Sequence, residues 1–139
     1  MVRAKERARV ICRTVAIFSG TRSPPRDTRE IEAAIDGLPA GSIVIHGDAP
    51  GVDRLVDKLA RERGRFVVIP MPANWTEYGK AAGPIRNRQM LVVAGALARC
   101  GYVARVRAFP TKKSKGTRDL VKQARALDLE DVIEVELPA

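Results

Sequence analysis

Residues 43–53 read IVIHGDAPGVD. A β-branched run, Ile43, Val44 and Ile45, ends in a glycine-bearing turn, and a helical pattern begins at once. This is the local grammar of a strand–turn–helix corner that holds phosphate. Glycine lets the backbone come close to a ligand, and the first amides of a helix lack partners and point outward. The corner matches neither GxGxxG nor the P-loop sequence GxxxxGKS/T.

The same grammar recurs on either side. Residues 14–18, TVAIF, predict a buried strand, followed by the turn SGTRSPP. A helix is expected from Asp27, with Asp27 and Glu30 as a capping box. Ile31, Ala34, Ile35 and Leu38 recur at helical spacing, and Gly37, Pro39 and Gly41 close that helix. The second strand is expected over Ile43–His46. A helix over 52–63 follows, with Leu55, Val56, Leu59 and Ala60 inward and Gly64 as its stop. The third strand is expected over Phe66–Pro70.

Residues 71–83 predict a long connection without an element of its own, a feature associated with function. Pro84 suits the first turn of a helix running to Gly95. A fourth strand is expected over Tyr102–Phe109, then the basic loop PTKKSKG, with Thr117 as N-cap. A helix over 118–127 and a strand over Val132–Val135 complete the chain.

The order βαβαβαβαβ predicts an α/β fold. We expect a Rossmann-like three-layer α/β/α sandwich with a mainly parallel five-stranded sheet in the order 3-2-1-4-5. Ligands of such sheets sit at the carboxyl ends of the strands. Those ends carry Ser19–Arg22, Gly47–Asp53, the 71–87 connection and Pro110–Thr117. The opposite-end turns, GLPAG and Gly64, look purely structural.

At 139 residues the chain fits one domain. Residues 1–13 form a basic lead-in of one or two helical turns or frayed chain, and 14–139 the domain itself. A core that buries ~65–70% of the unfolded surface is within reach. The 25 basic residues against 16 acidic ones give +9. That excess favours anionic partners, nucleotides or nucleic acid, and a solvated basic surface explains it equally well. Cys12 and Cys100 fit neither a disulfide framework nor a zinc site and read as small buried hydrophobes. Arg3, Lys5, Arg7, Arg9 and Arg13 interrupt any secretory core, and no apolar run approaches ~20 residues. No membrane partner and a cytoplasmic location are expected.

Four collinear segments resemble a known family. FSGTR, HGDAPGVDRL, PANWTEYGKAAGPIRNRQM and AFPTKKSKGTRDLVKQA are similar to the DUF2493 group of the SLOG superfamily. That group is remotely related to the LOG phosphoribohydrolases and the DprA DNA-processing proteins. The likeness covers residues 14–136, and its most specific part is Trp75, Tyr78, Gly79, Lys80, Ala82, Gly83, Pro84, Arg86 and Asn87. It implies a Rossmann-like sheet with a pocket for a nucleotide or nucleotide derivative. It also implies homo-oligomers, since LOG enzymes pair through helices. Departures from the family pattern are equally plain. Asp48 stands where glycine is common and Pro50 where arginine is common. A carboxylate beside phosphate needs a metal or a basic group to compensate. The LOG block PGGxGTxxE becomes PTKKSKGTRDL, with Leu120 in place of the final acid and Asp119 one residue away. That change counts against LOG-type N-glycosidic hydrolysis.

The expected ligand-binding residues are Ser19, Gly20, Thr21, Arg22, Gly47, Asp48, Gly51, Asp53, Lys80, Arg86, Asn87, Gly116 and Thr117. Each has a bland reading beside the functional one. Gly47 and Gly51 either admit a ligand or make a tight turn. Asp53 either sits at a helix start for its dipole or, as the resemblance implies, meets a ribose or metal. His46, which ends a strand, either takes part in catalysis or is a hydrogen-bonded structural residue. Lys112, Lys113 and Lys115 beside Gly116 and Thr117 suit a phosphate or simply an exposed loop. Arg86 either grips phosphate or bridges elements. Trp75 and Tyr78 either stack on a base or cap the core.

Three functions compete: a nucleotide-sensing module, a nucleotide-processing hydrolase, and a DprA-like nucleic-acid binder. Candidate catalytic acids are Asp48, Asp53 and Asp119, with Glu77 as a further carboxylate. The sequence calls for no cofactor and offers no metal motif. A divalent metal carried in with a nucleotide is compatible with these acids.

Overall fold

The computed structural model describes residues 13–138. All of the expected lead-in except Arg13, and Cys12 with it, lies outside the described residues. Five strands are present: β1 (Thr14–Gly20), β2 (Ile43–His46), β3 (Val67–Pro70), β4 (Val103–Phe109) and β5 (Val132–Glu134). They form one sheet in the order β3-β2-β1-β4-β5, and every pairing is parallel. The expected Rossmann-like architecture is what the chain adopts.

Helices α1 (Arg29–Asp36) and α2 (Val52–Arg63) cover one face, and α4 (Ala82–Arg99) and α5 (Lys115–Ala126) the other. The alternation of β1 produces both cores. Ala16 and Phe18 join Ile31, Ile35, Val52 and Val56 on the first face. Val15 and Ile17 join Met90, Leu91, Val106 and Leu120 on the second. Phe18 and Phe109 stack at 6.5 Å between ring centres, and full burial of each side chain stabilises by about 1.5–3 kcal/mol. The unbroken apolar run of β1 is thus the signature of a strand covered on both sides.

Several boundaries differ from expectation. Asp27 does not cap α1: its carboxylate accepts from the N–H and guanidinium of Arg29, and Thr28 takes the N-cap position. Residues 75–81 are not structureless, because a short helix α3 (Trp75–Tyr78) runs into a 3-10 turn (Gly79–Ala81). Asn74 accepts from the Glu77 N–H and returns a bond to its carboxylate, a reciprocal cap. Helix α4 starts at Ala82 rather than Pro84 and runs past Gly95 to Arg99. A proline in the first turn forfeits no helical bond, so it tolerates this shift. Ser114, not Thr117, stands at the N-cap of α5. Cys100 is exposed rather than buried.

Helix α2 keeps its expected bounds because glycines punctuate it. Gly64 adopts φ 67° at its C-cap with open space around it. Gly64→Ala is therefore expected to cost only the left-handed strain, about 1 kcal/mol. Chemical denaturation of the variant checks this; a loss above about 3 kcal/mol would mean that the space is not open.

Candidate functional site

The carboxyl ends of β1 and β4 are tied together before any side chain is considered. Thr21 N–H donates to Phe109 O at 3.0 Å, and Val52 N–H donates to Thr21 O at 3.0 Å. Gly20 makes room for this, since a Cβ there would meet Val52 at 2.6 Å. The start of α2 is thereby drawn against the end of β1. Across the seam, the buried Ser19 and Thr117 hydroxyls pair at 2.9 Å, joining β1 to the first turn of α5.

Above this seam lies a cleft of about 550 Å³. Of the expected residues, Ser19, Gly20, Arg22, Asp53, Lys80, Arg86, Gly116, Thr117 and Asp119 line it. Five lining cations, Arg22, Lys80, Arg86, Lys113 and Lys115, face two lining carboxylates, Asp53 and Asp119. That balance raises the local concentration of anions. Helix α5 enters with its start open. Ser114 makes no cap bond to it, because its hydroxyl accepts from Thr111 N–H instead. The N–H groups of Gly116 and Thr117 therefore retain the character of a helix N-terminus.

Asp53 is 4% exposed. Its Oδ2 accepts from Gly47 N–H at 3.1 Å and Ala49 N–H at 3.3 Å, which folds the 47–51 turn back onto α2. Its Oδ1 is buried and has no partner among the described residues. Burial pushes the Asp53 carboxyl above the usual aspartate range, against the pull of those amides and of Arg86. The folded protein thus holds this proton more tightly than the unfolded chain does. The group favours folding fully below the ordinary value of 3.8, and that contribution is lost as pH rises through the raised one. Asp53→Asn is expected to gain on the wild type as melting is repeated from about pH 4 to about pH 8. Parallel curves would show that the carboxyl titrates alike in both states.

Arg86, on the second turn of α4, reaches back under the β2 turn. Its Nη1 donates to Gly47 O and, at 3.4 Å, to Met71 O, while Nε donates to Asn87 Oδ1. Burial lowers its guanidinium pKa and Arg22 adds to this, while Asp53 opposes both. A Cβ on Gly47 would fall 2.0 Å from Arg86 Nη1, so that glycine admits the guanidinium rather than a ligand. These bonds use Nη1 and Nε and leave Arg86 Nη2 without a hydrogen bond among the described residues, in a residue that lines the cleft.

The remaining expected residues support the site from outside. Thr21 is buried in the seam. Gly51, at φ 83°, permits the backbone of residues 21 and 22 to approach. Asn87 donates from Nδ2 to Gly116 O and to Asp119 Oδ2, both at 3.0 Å. Asp48 points away, half exposed and 4.0 Å from Arg54. Glu77 is bonded to the α3 N-cap Asn74 and does not line the cleft. His46 accepts from Asp48 N–H at Nδ1, so its Nε2 carries the hydrogen and donates to Asp57 at 2.8 Å. Burial resists ionisation of Asp57, but the bonds from Arg61 and His46 outweigh it and hold that carboxyl low.

The aromatic end of the cleft is Trp75, 48% exposed. The Arg22 guanidinium lies over its ring at 5.2 Å. Neither Trp75 nor Tyr78 caps the core, since both are exposed. Ala49, Gly83 and Ser114 also line the cleft; they lie in the loops expected at the strand ends but are not among the individual residues named there. Ser114 was legible as a serine placed just before a helical run, whereas nothing in the sequence marks Ala49. Among the described residues no cluster of three or more His, Cys, Asp or Glu is arranged to hold a metal. Among them, too, no helix is long and apolar enough to cross a membrane.

No family model matches the chain. Over 117 residues it is 36% identical to the Gene 61 protein of Mycobacterium phage D29, spanning 78% of this chain and 86% of the phage protein. The chain belongs to the Gene 61 protein family. This Gene 61 family member therefore shares nearly the whole length of its phage relative, not an isolated motif.

Proposed function

We propose that the cleft binds a nucleotide or nucleotide-derived ligand, and that the protein works as a binding or sensing module. One observation carries this reading: loops from four strand ends converge on one cationic cleft at the β1–β4 switch point, with an open helix start on its floor. Helix amides and lysines suit phosphate, and Trp75 offers a face for a base. The resemblance to the DUF2493 group of the SLOG superfamily supports the same reading.

Thermal shift with a panel of mononucleotides tests it. Ligand at a hundredfold excess over Kd stabilises by about 2.7 kcal/mol, a rise of several degrees. Arg22→Ala, at an exposed position, is expected to diminish that rise without lowering the melting temperature of the free protein. If no nucleotide raises the melting temperature at millimolar concentration, the proposal fails.

Asp119 favours a second reading, hydrolysis of the bound nucleotide. Its Oδ2 is held by Asn87 and, at 2.8 Å, by Gln123, so the carboxylate is fixed in the cleft wall as a general base must be. Product analysis on the same panel decides between the two. Turnover lost in Asp119→Asn supports hydrolysis; binding without products supports the sensing module. DprA-like nucleic-acid binding would instead show steep salt dependence that free nucleotide does not displace.

A further inference from the structure

The walls of the cleft carry two opposite kinds of unsatisfied group. One set only donates: Arg86 Nη2, the three lysines, and the N–H groups that open α5. The other, when ionised, only accepts. Asp53 Oδ1 is buried without a partner, its Oδ2 already taken by two amides. Asp119 is only half-buried: its Oδ2 is engaged by Asn87 and Gln123, and its Oδ1, which makes no hydrogen bond among the described residues, is open to solvent rather than buried. In both residues the protein fixes one carboxylate oxygen and leaves the other.

Buried acceptors are normally satisfied, and an orphan needs an explanation. A bare anion answers only the donating set, and brings its charge against two carboxylates. A neutral base covers Trp75 and answers neither set fully. A molecule with an anionic group and neighbouring hydroxyls answers both, since each hydroxyl donates one hydrogen.

Resting on the nucleotide reading above, we propose that the cleft selects phosphorylated sugars by their hydroxyls: the anion sits on the donating set, and hydroxyls donate to Asp53 Oδ1 and Asp119 Oδ1. The substrate class is then the ribonucleotide, with its two adjacent hydroxyls. Inorganic phosphate and sugar phosphates stripped of hydroxyls are disfavoured. The two acids, unfavourable for phosphate alone, become the source of selectivity.

Calorimetry with the four ribonucleoside 5′-monophosphates, their 2′,3′-dideoxy counterparts and inorganic phosphate tests this. The preferred ribonucleotide is expected to bind at least about tenfold tighter than its dideoxy form, with phosphate weaker than the ribonucleotide. Asp53→Asn and Asp119→Asn, similar in shape to the wild type, are each expected to shrink that ratio towards one. A merely structural role would weaken both nucleotides alike and leave the ratio intact, which overturns the assignment for that residue. Equal binding of both forms by the wild type overturns the selection while leaving nucleotide binding standing. Binding of phosphate but of no nucleotide overturns both.

Discussion

Gly51→Ala is expected to lower the melting temperature by roughly 10 °C or more, out of proportion to one added methyl group. Gly51 holds φ 83° and ψ −125°, a region that side chains avoid. The new Cβ would sit 2.3 Å from Thr21 O and 2.5 Å from Arg22 C. These are backbone atoms of the first loop, and no rotamer change moves them aside. Thr21 O is also the acceptor for Val52 N–H, so relief of the clash breaks the tie between β1 and α2. Strain and lost bonding together cost about 3–5 kcal/mol. Gly41→Ala is the control, with φ 85° but nothing within 4 Å; strain alone costs it about 1 kcal/mol. Similar melting temperatures for the two variants would show that the close approach at Gly51 is not maintained in solution.

Arg86→Ala is expected to cost about 3–4 kcal/mol of stability and to reduce ligand affinity by at least about a hundredfold. The guanidinium satisfies Gly47 O and Asn87 Oδ1 in a buried setting, and each orphan left behind costs about 1–3 kcal/mol. Its charge also opposes the effect of burial on Asp53. Without it the Asp53 carboxyl moves further up, and the cleft loses its least mobile cation. Arg86→Lys keeps the charge but lacks the planar fork that reaches several acceptors at once. It is therefore expected to recover part of the affinity and little of the stability. Denaturation and calorimetry on the three proteins measure both effects. Full stability in the alanine variant would mean that Gly47 and Asn87 find other donors.

Pattern alone reached the sheet, because each strand is a short apolar run and each helix shows its period. Glycines at 51 and 64 set the limits of α2 before any tertiary contact is needed. The cleft was legible at the level of loops, since parallel order puts Ser19, Asp53, Arg86 and Thr117 at one end of the sheet. The role of each side chain was not. Asn87 and Gly47 were expected to meet a ligand, yet Asn87 braces α5 and Gly47 admits Arg86. Those partnerships span 29 to 39 residues of chain, and no local spacing encodes them. Asp53 is the converse case. A helix-start acid looks ordinary in sequence, and only its burial reveals one satisfied and one orphaned oxygen. Helix α3 was overlooked although N-x-x-E at Asn74 and Glu77 is a capping signal.

The switch point between β1 and β4 divides the polypeptide into a front portion, β1 through α4, and a rear portion, β4 through β5. Asp53 and Arg86 belong to the first, Gly116 and Asp119 to the second. Any guest in the cleft must bridge both pieces and so acts as a staple between them. Cleaving the exposed turn between α4 and β4 at Gly101, where φ is 96°, would make reassembly of the two fragments a direct report of occupancy.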